Sequence, residues 1–245
     1  MFAAPVTERA AALRVGGLTP LSTSDWPGEL AAVVFCQGCP WRCSYCHNPH
    51  LLRARGASEI AWEDVLALLR RRQGLLDAVV FSGGEPLAQP GLAEAMRSVR
   101  GLGFRLGLHT GGAYPRRLSQ VLSLVDWVGL DIKAPFSDYA SITGVSDSGA
   151  RALESAKLVI ANGGACELRT TVHPRLLAPK AVERLADELV ALGARRYVLQ
   201  EFRDEGCVNA ALVDDVRFSL EPCAAKIGAR FSSFEVRARA ARYAR

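Results

Sequence analysis

Short apolar segments alternate with amphipathic segments along most of this 245-residue chain. Continuous apolar runs of four to eight residues are typical of strands that are buried on both faces of a parallel sheet. Because such a sheet needs helices on its faces, the alternation predicts an α/β fold. The six predicted strands span residues 30–35, 76–81, 105–109, 127–132, 166–172 and 197–202.

The segments between these strands carry the periodicity of amphipathic helices. The clearest one begins near Pro179, whose ring suits the first turn of a helix, and ends at Gly193. The other predicted helices span residues 61–72, 92–99, 116–124, 149–162 and 213–227. Six strand–helix units are too few for a closed eight-fold barrel, so an open partial barrel and a doubly wound sheet both remain.

Polar and glycine-rich segments follow the predicted strands, at the point where each strand ends. In parallel α/β folds the carboxyl ends of the strands meet at one edge of the sheet, and ligands bind there. The sequence therefore predicts a single site at this edge. Its candidate segments are residues 36–46, 82–86, 109–112, 131–133, 169–171 and 200–203.

Composition excludes several classes of protein. Hydrophobic residues make up 49% of the chain and charged residues 22%, as in ordinary globular proteins. No apolar run approaches the roughly 20 residues of a membrane span, and the first residues lack the apolar core of a signal peptide. The net charge of +5 comes mostly from four arginines, 237, 239, 242 and 245, in a predicted solvated tail. We therefore expect a cytoplasmic protein that binds neither membranes nor nucleic acid.

Four of the seven cysteines lie in the segment 36–46, which reads CQGCPWRCSYC. Thiolates bind soft metals, and the C-x3-C-x2-C spacing of Cys39, Cys43 and Cys46 suits a compact loop around a multi-iron core. Three thiolates leave one iron of a cubane cluster open to another ligand. A zinc site and a ferredoxin-type electron carrier are the alternatives, although both commonly space their cysteines differently. Cys36 is interpreted as a buried apolar residue.

The cluster motif, with Tyr45 before its last cysteine, resembles the signature of radical S-adenosylmethionine (SAM) enzymes, and SGGEP at 82–86 resembles that family's glycine-rich segment. The resemblance covers about residues 16–202 and implies a 4Fe–4S cluster and SAM as cofactors. It implies one radical SAM domain over residues 1–245, built as a partial (β/α)6 TIM-like barrel of parallel strands with outer helices. The core is expected at about 16–203, with a C-terminal helix and the basic tail at 204–245.

The resemblance also implies roles for individual residues. The catalytic centre is the cluster held by Cys39, Cys43 and Cys46. The implied SAM-binding residues are Tyr45, Gly83, Gly84, Glu85, Thr110, Asp131, Lys133, Arg169 and Gln200. One departure concerns residues 109–112, which read HTGG where many relatives carry Asp-Thr-Asn-Gly. The aspartate that would help to bind a nearby cation in those relatives is absent here, so a need for that cation does not follow from the resemblance.

The segment from VGGLTP to CHNP resembles glycyl-radical activating enzymes, in particular those that act on anaerobic ribonucleoside-triphosphate reductase. Such an enzyme takes a hydrogen atom from a glycine of its protein substrate and receives electrons from a flavodoxin- or ferredoxin-type donor. Three alternatives remain open. They are a pyruvate formate-lyase activator, a small-molecule radical SAM enzyme such as 7-carboxy-7-deazaguanine synthase, and a non-enzymatic iron–sulfur electron carrier.

Overall fold

A computed structural model describes residues 10, 12–213 and 218–238. Its centre is one eight-stranded sheet in which the strands lie side by side in chain order. The first strand is antiparallel to the second, and all other neighbours are parallel. The strands are β1 (Val15–Ser22), β2 (Ala31–Cys36), β3 (Ala78–Gly83), β4 (Arg105–Thr110), β5 (Trp127–Asp131), β6 (Ala165–Val172), β7 (Arg196–Glu201) and β8 (Ser233–Arg237).

Helices connect the parallel strands. The first begins with acidic Glu63 and Asp64 and ends with basic Arg70 and Arg71, which complements the helix dipole. No helix in residues 10, 12–213 and 218–238 combines the length and the hydropathy needed to cross a membrane. The helices are α1 (Trp62–Arg71), α2 (Leu92–Gly101), α3 (Pro115–Val121), α4 (Tyr139–Thr143), α5 (Ser148–Asn162), α6 (Pro179–Ala191) and α7 (Glu221–Ile227).

The strand order identifies the architecture. It never reverses along the sheet, as it does in a doubly wound fold. The sheet curls instead, so that the loop after β1 and the inner side chains of β8 line one cleft. Within the described residues no backbone pairing joins β1 to β8, and we call the gap between these two edges the seam. The predicted α/β fold with a partial TIM-like barrel is confirmed.

The two faces of the sheet differ in what they bury. Outward-facing side chains such as Val34 and Phe81 belong to the main hydrophobic core beneath the helices. On the inner face, near the amino ends of the parallel strands, Val80, Trp26 and Trp127 belong to a separate apolar cluster. The rings of Trp26 and Trp127 stack with their centroids 5.5 Å apart. Because this cluster fills one end of the barrel, the polar inner side chains gather at the carboxyl ends.

The prediction of only six strands is wrong, because β1 and β8 flank them. The β1 sequence, VGGLTPLS, has no apolar run, and most of its side chains are half-buried or exposed. The β8 sequence, SFEVR, carries two charged side chains that face the interior of the barrel rather than an apolar core. Neither strand has the apolar pattern by which a fully buried strand is recognised.

The C-terminal region also differs from its prediction. The helix expected at 213–227 is observed only as α7, and residues 214–217 lie outside the described residues. Arg237 belongs to β8, where it pairs with Glu167 and Glu235. Its assignment to a solvated tail is therefore wrong, because it lies on the inner face of the barrel. The other three arginines of the predicted tail lie outside the described residues.

Candidate functional site

A cavity of about 170 Å³ lies on the inner face of the barrel, at the carboxyl ends of the parallel strands. Its walls come from the loops and strand ends that follow β2 to β6. Nearly all the site residues expected from the sequence meet here, while Gln200 lies in an adjoining cleft. The expected residues that line the cavity are Cys39, Cys43, Tyr45, Cys46, Gly83, Gly84, Glu85, Thr110, Asp131, Lys133 and Arg169.

The loop that carries Cys39, Cys43 and Cys46 follows β2 and is held by backbone hydrogen bonds to distant segments. The amide of Gly38 donates to the carbonyl of Leu51 (2.8 Å), and the amide of Arg42 donates to the carbonyl of Thr143 (2.9 Å). We call this loop, residues 37–48, the cysteine loop. Its contacts with the following segment and with α4 fix its position within the fold.

The chemistry of the three thiols fits an iron–sulfur cluster. Burial is the largest influence that raises the pKa of Cys39, to about 12, and it also raises the pKa of Cys43 and Cys46. Such thiols stay neutral at physiological pH until a bound metal compensates the charge of the thiolates. Within the described residues, no three or more His, Cys, Asp or Glu side chains are arranged to hold a single metal ion. The three thiols line the same cavity, where they can supply the three thiolates that such a cluster needs.

Cys36 lies apart from these three cysteines. It has no exposed surface and packs into the hydrophobic core on the outer face of the sheet. Burial raises the pKa of its thiol well above the usual value, and its side chain is not part of the cavity wall. This position agrees with its interpretation as a buried apolar residue.

Gly83 and Gly84 let the end of β3 pass directly beside the start of the cysteine loop. Gly83 has a φ angle of +114°, and a Cβ there would lie 2.4 Å from the amide nitrogen of Cys36. The next two amides pair with this segment, since Gly84 donates to Cys36 (2.9 Å) and Glu85 donates to Gly38 (2.9 Å). Only glycine fits this approach of two backbones.

Replacing Gly84 by alanine is expected to lower the free energy of unfolding by about 2–3 kcal/mol, because the added Cβ would lie 2.6 Å from the carbonyl oxygen of Gly38. Gly101 is a matched control, since a Cβ there meets no atom within 4 Å. Gly101→Ala should raise the free energy of unfolding by about 0.4–1 kcal/mol. Urea denaturation of both variants makes the comparison, and equal midpoints would contradict the predicted clash.

Glu85 is a buried carboxyl group whose position is fixed by several donors. The Thr110 hydroxyl lies 2.8 and 2.9 Å from its two oxygens, and the amides of Gly111 (3.1 Å) and Leu87 (3.0 Å) donate to it. Burial raises the pKa of Glu85 against the opposing effect of these hydrogen bonds. Glu85 lines the cavity, where an ionised carboxylate can attract a positively charged ligand group.

Asp131, Lys133 and Arg169 place alternating charges across the cavity. The Arg169 Nε donates to Asp131 Oδ1 at 2.9 Å. Burial alone would raise the pKa of Asp131, but the charges of Arg169 and Lys133 outweigh it and hold that pKa below its usual range. The Lys133 ammonium lies 5.6 Å from the centroid of the Tyr45 ring, which orders the lysine side chain through a cation–π contact.

A second cleft, of about 450 Å³, continues from this cavity to the seam. Four of the residues 23–27, a segment that we call the floor loop, line this cleft together with Glu235 and Arg237 of β8. Gln200 also belongs to this cleft. The walls shared by the two cavities include His109, Asp131 and Arg169, so the site extends without interruption from the cysteine loop to the open edge of the barrel.

The HTGG departure has a steric explanation in part. A Cβ on Gly111 would lie 2.6 Å from the ring of Trp41, so this glycine makes room for a large side chain of the cysteine loop. Trp41 is buried and lines the cavity. Trp41 is not among the site residues predicted from the sequence. Its place between Cys39 and Cys43 was the available signal. Ser82, in the candidate segment 82–86, also lines the cavity, because it follows inward-facing Val80 by two residues and shares its face.

Comparisons with known proteins agree with this geometry. A family model described as the radical SAM superfamily matches residues 33–176. A protein of Methanocaldococcus jannaschii named as a glycyl-radical enzyme activating enzyme is 30% identical over 198 residues, which cover 77% of this chain and 79% of the relative. The pyruvate formate-lyase-activating enzyme of Clostridium pasteurianum is 36% identical over 142 residues, 56% of this chain and 59% of that enzyme.

Solved structures share the fold at low sequence identity. SuiB of Streptococcus suis bound to SAM has a TM-score of 0.65 and 15% identity, over 84% of this chain and 49% of SuiB. QueE of Escherichia coli has a TM-score of 0.56 and 18% identity, over 95% of this chain and 98% of QueE. The family match covers more than half of the chain and includes the cysteine loop. The chain is therefore an enzyme of the radical SAM superfamily, whose members use a 4Fe–4S cluster and SAM, and it belongs with the glycyl-radical activating enzymes.

Proposed function

We propose that this chain activates an anaerobic ribonucleoside-triphosphate reductase by removing a hydrogen atom from one of its glycines. The observation that carries the proposal is the continuous cavity from the cysteine loop to the seam. A cleft that opens through a gap in the barrel can admit a polypeptide segment, whereas small-molecule sites enclose most of their ligand. The likeness of the segment from residue 15 to residue 49 to activators of this reductase supports the choice of partner. A cytoplasmic location remains a prediction of the sequence.

In this proposal Cys39, Cys43 and Cys46 bind three irons of the cluster and leave the fourth for SAM. When bound, the two cofactors supply the electron for reductive cleavage of SAM and the fragment that removes the hydrogen atom. The protein positions the two cofactors and excludes water from them. The cysteine loop is fixed by distant backbone contacts, so a cluster on this loop would be held close to SAM in the cavity. Holding two reacting groups close together lowers the reaction barrier by several kcal/mol.

The charges of the cavity match the charges of SAM. Glu85 is proposed to accept a hydrogen bond from the amino group at the methionine end of SAM. It lies next to Gly83 and Gly84, where two backbone segments approach closely. A cationic partner offsets the cost of keeping this buried carboxyl ionised. Arg169 and Lys133 are proposed to bind the carboxylate, since a guanidinium offers paired donors to it. The proposed ribose and adenine contacts are Asp131, Thr110, Tyr45 and Gln200.

The positive charge of the surface around the cysteine loop is suited to docking a small acidic electron donor of the flavodoxin or ferredoxin type. Arg42, Arg53 and Arg55 are exposed on this loop and on the segment that follows it. Arg42 also donates from a terminal nitrogen to the carbonyl of Cys39 at 2.7 Å. Positive side chains beside the proposed cluster can guide an acidic carrier to a docking position close to it.

Pyruvate formate-lyase is the second candidate partner. The names of relatives favour it, because the activating enzymes of Clostridium pasteurianum and Escherichia coli are 36% and 29% identical to this chain. Both candidates require the same removal of a hydrogen atom from glycine. The two proposals differ only in the protein that enters the cleft.

An activation assay with both partners separates them. The cluster-loaded protein is incubated without oxygen with SAM, a low-potential reductant and either the reductase or the pyruvate formate-lyase of the same organism. We expect the electron paramagnetic resonance signal of a glycyl radical on the reductase, together with 5′-deoxyadenosine. A reductase whose radical-bearing glycine is replaced by alanine is the control. A signal on the lyase alone, or on neither protein, would refute the proposed partner.

A further inference from the structure

His109 connects three segments at the centre of the barrel. It lies on the inner face of β4, where its Nε2 is 2.7 Å from the carbonyl oxygen of Asp25 in the floor loop. Its Nδ1 is 3.3 Å from the hydroxyl of Ser82 at the end of β3. The same Nε2 is 3.2 Å from a terminal nitrogen of Arg169 on β6. One ring therefore contacts the floor loop, the glycine-rich segment and the proposed SAM arginine.

The ring is neutral, and its two nitrogens have different roles. Burial and the neighbouring Arg169 lower the pKa of His109 to about 3. Asp25 presents a carbonyl oxygen, which can only accept, so the Nε2 must carry the hydrogen in this contact. The Nδ1 then accepts from the Ser82 hydroxyl. Arg169 is also only a donor, so it can pair with Nε2 only in the other tautomer, after the bond to Asp25 is broken.

The floor loop is itself held at one end. The amide of Asp25 lies 3.3 Å from the Ser22 hydroxyl, which in turn donates to the Asp25 carboxylate. Trp26 packs inside the barrel against Trp127. The rings of Trp127 and His109 also meet edge to face, with their centroids 5.4 Å apart. Because this loop lines the cleft that opens at the seam, a ligand in the cleft contacts the loop that presents the Asp25 carbonyl.

We propose that His109 is a positioning residue that couples the floor loop to Arg169, so that a displacement of the loop changes how Arg169 is held in the SAM site. The floor loop and Arg169 compete for the same Nε2, and the two tautomers of the ring are the two states of the coupling. The inference rests on the proposed contact of Arg169 with SAM. It is independent of which protein enters the cleft.

A double-mutant cycle tests the coupling through SAM binding alone. The SAM dissociation constant of the cluster-loaded protein is measured by anaerobic equilibrium dialysis for the wild type, Ser22→Ala, His109→Ala and the double variant. Ser22→Ala releases the Asp25 turn, so we expect it to change the dissociation constant about fivefold when His109 is present and less than about twofold when it is absent. Ser119→Ala, at an exposed position of α3, is the matched control and should leave the SAM dissociation constant unchanged in both backgrounds.

An equal effect of Ser22→Ala in both backgrounds would overturn the coupling. Arg169→Lys, measured separately, tests the proposed contact of Arg169 with SAM, and the activation assay above tests the proposed protein partner. A failure of the coupling can therefore be distinguished from a failure of either of these two proposals. A second measurement does not depend on the folding of the His109→Ala chain. In ¹⁵N-histidine spectra of the wild type we expect a neutral, Nε2-protonated His109 that shifts toward the Nδ1-protonated form in Ser22→Ala. A charged ring, or a tautomer that ignores Ser22, would refute the proposal.

Discussion

Replacement of Cys43 by alanine is expected to abolish both cluster assembly and the formation of 5′-deoxyadenosine. Cys43 is the middle ligand of the proposed set and lines the cavity at the carboxyl ends of the strands. With only Cys39 and Cys46 left, two irons of a cubane lack a protein thiolate, and the electron source for SAM cleavage is lost. Iron and sulfide analysis, the absorption of the reconstituted protein and a SAM cleavage assay measure this outcome.

Cys166→Ala provides the matched control. Cys166 is a half-buried free cysteine at the start of β6, and it is not part of the cavity wall. The variant should load a full cluster and cleave SAM at the wild-type rate. Retention of SAM cleavage by the Cys43→Ala protein would contradict the assignment of the cluster ligands. Loss of the cluster in both variants would mean that cysteine replacement disturbs the fold rather than the site.

The second large effect concerns stability, because a carboxylate with no exposed surface holds several arginines in the barrel. Glu167 on β6 accepts from Arg237 at 2.8 and 3.1 Å and lies 3.3 Å from the Nε of Arg196. Glu167→Ala removes the buried carboxylate that these guanidinium groups share and leaves them paired with the more exposed Glu235. We expect the free energy of unfolding to fall by about 3–5 kcal/mol, measured by urea denaturation.

Glu235 on β8 supplies the comparison. It pairs with the same two arginines, at 2.8 Å from Arg237 and 3.5 Å from Arg196, but 44% of its side chain is exposed. Solvent screens such a pair, so Glu235→Ala should lower the free energy of unfolding by about 0–1 kcal/mol. If the two glutamate variants lost equal stability, burial would not be the factor that makes Glu167 important.

The inner strands could be predicted from the sequence because they are buried on both sides. For example, β3 alternates Val79 and Phe81 on the outer face with Ala78 and Val80 on the inner face, so its first four residues are all apolar. The edge strands could not be predicted in this way. β1 contains two glycines and a proline, and β8 carries Glu235 and Arg237, which pair with each other and with charged side chains of β6 and β7. Their strand conformation depends on pairing with β2 and β7, which no local pattern encodes.

The residues of the site could be grouped in advance because parallel strands bring their carboxyl ends to one edge. That rule accounts for the meeting of the cysteine loop, Glu85, Asp131 and Arg169. It gives no information on contacts made by loops that return into the barrel. The approach of Asp25 to His109 and the fit of Trp41 against Gly111 depend on such loops. Both become visible only when the three-dimensional arrangement is known.

The unpaired seam has a mechanical consequence for turnover. A closed barrel can dilate only by breaking backbone hydrogen bonds between neighbouring strands. Among the described residues of this chain, β1 and β8 share no such bonds. Their edges can therefore move apart without breaking a backbone hydrogen bond between neighbouring strands of the sheet. A polypeptide that entered or left through the seam would therefore have to displace side chains at the two edges, but it would not have to break the pairing between the described strands.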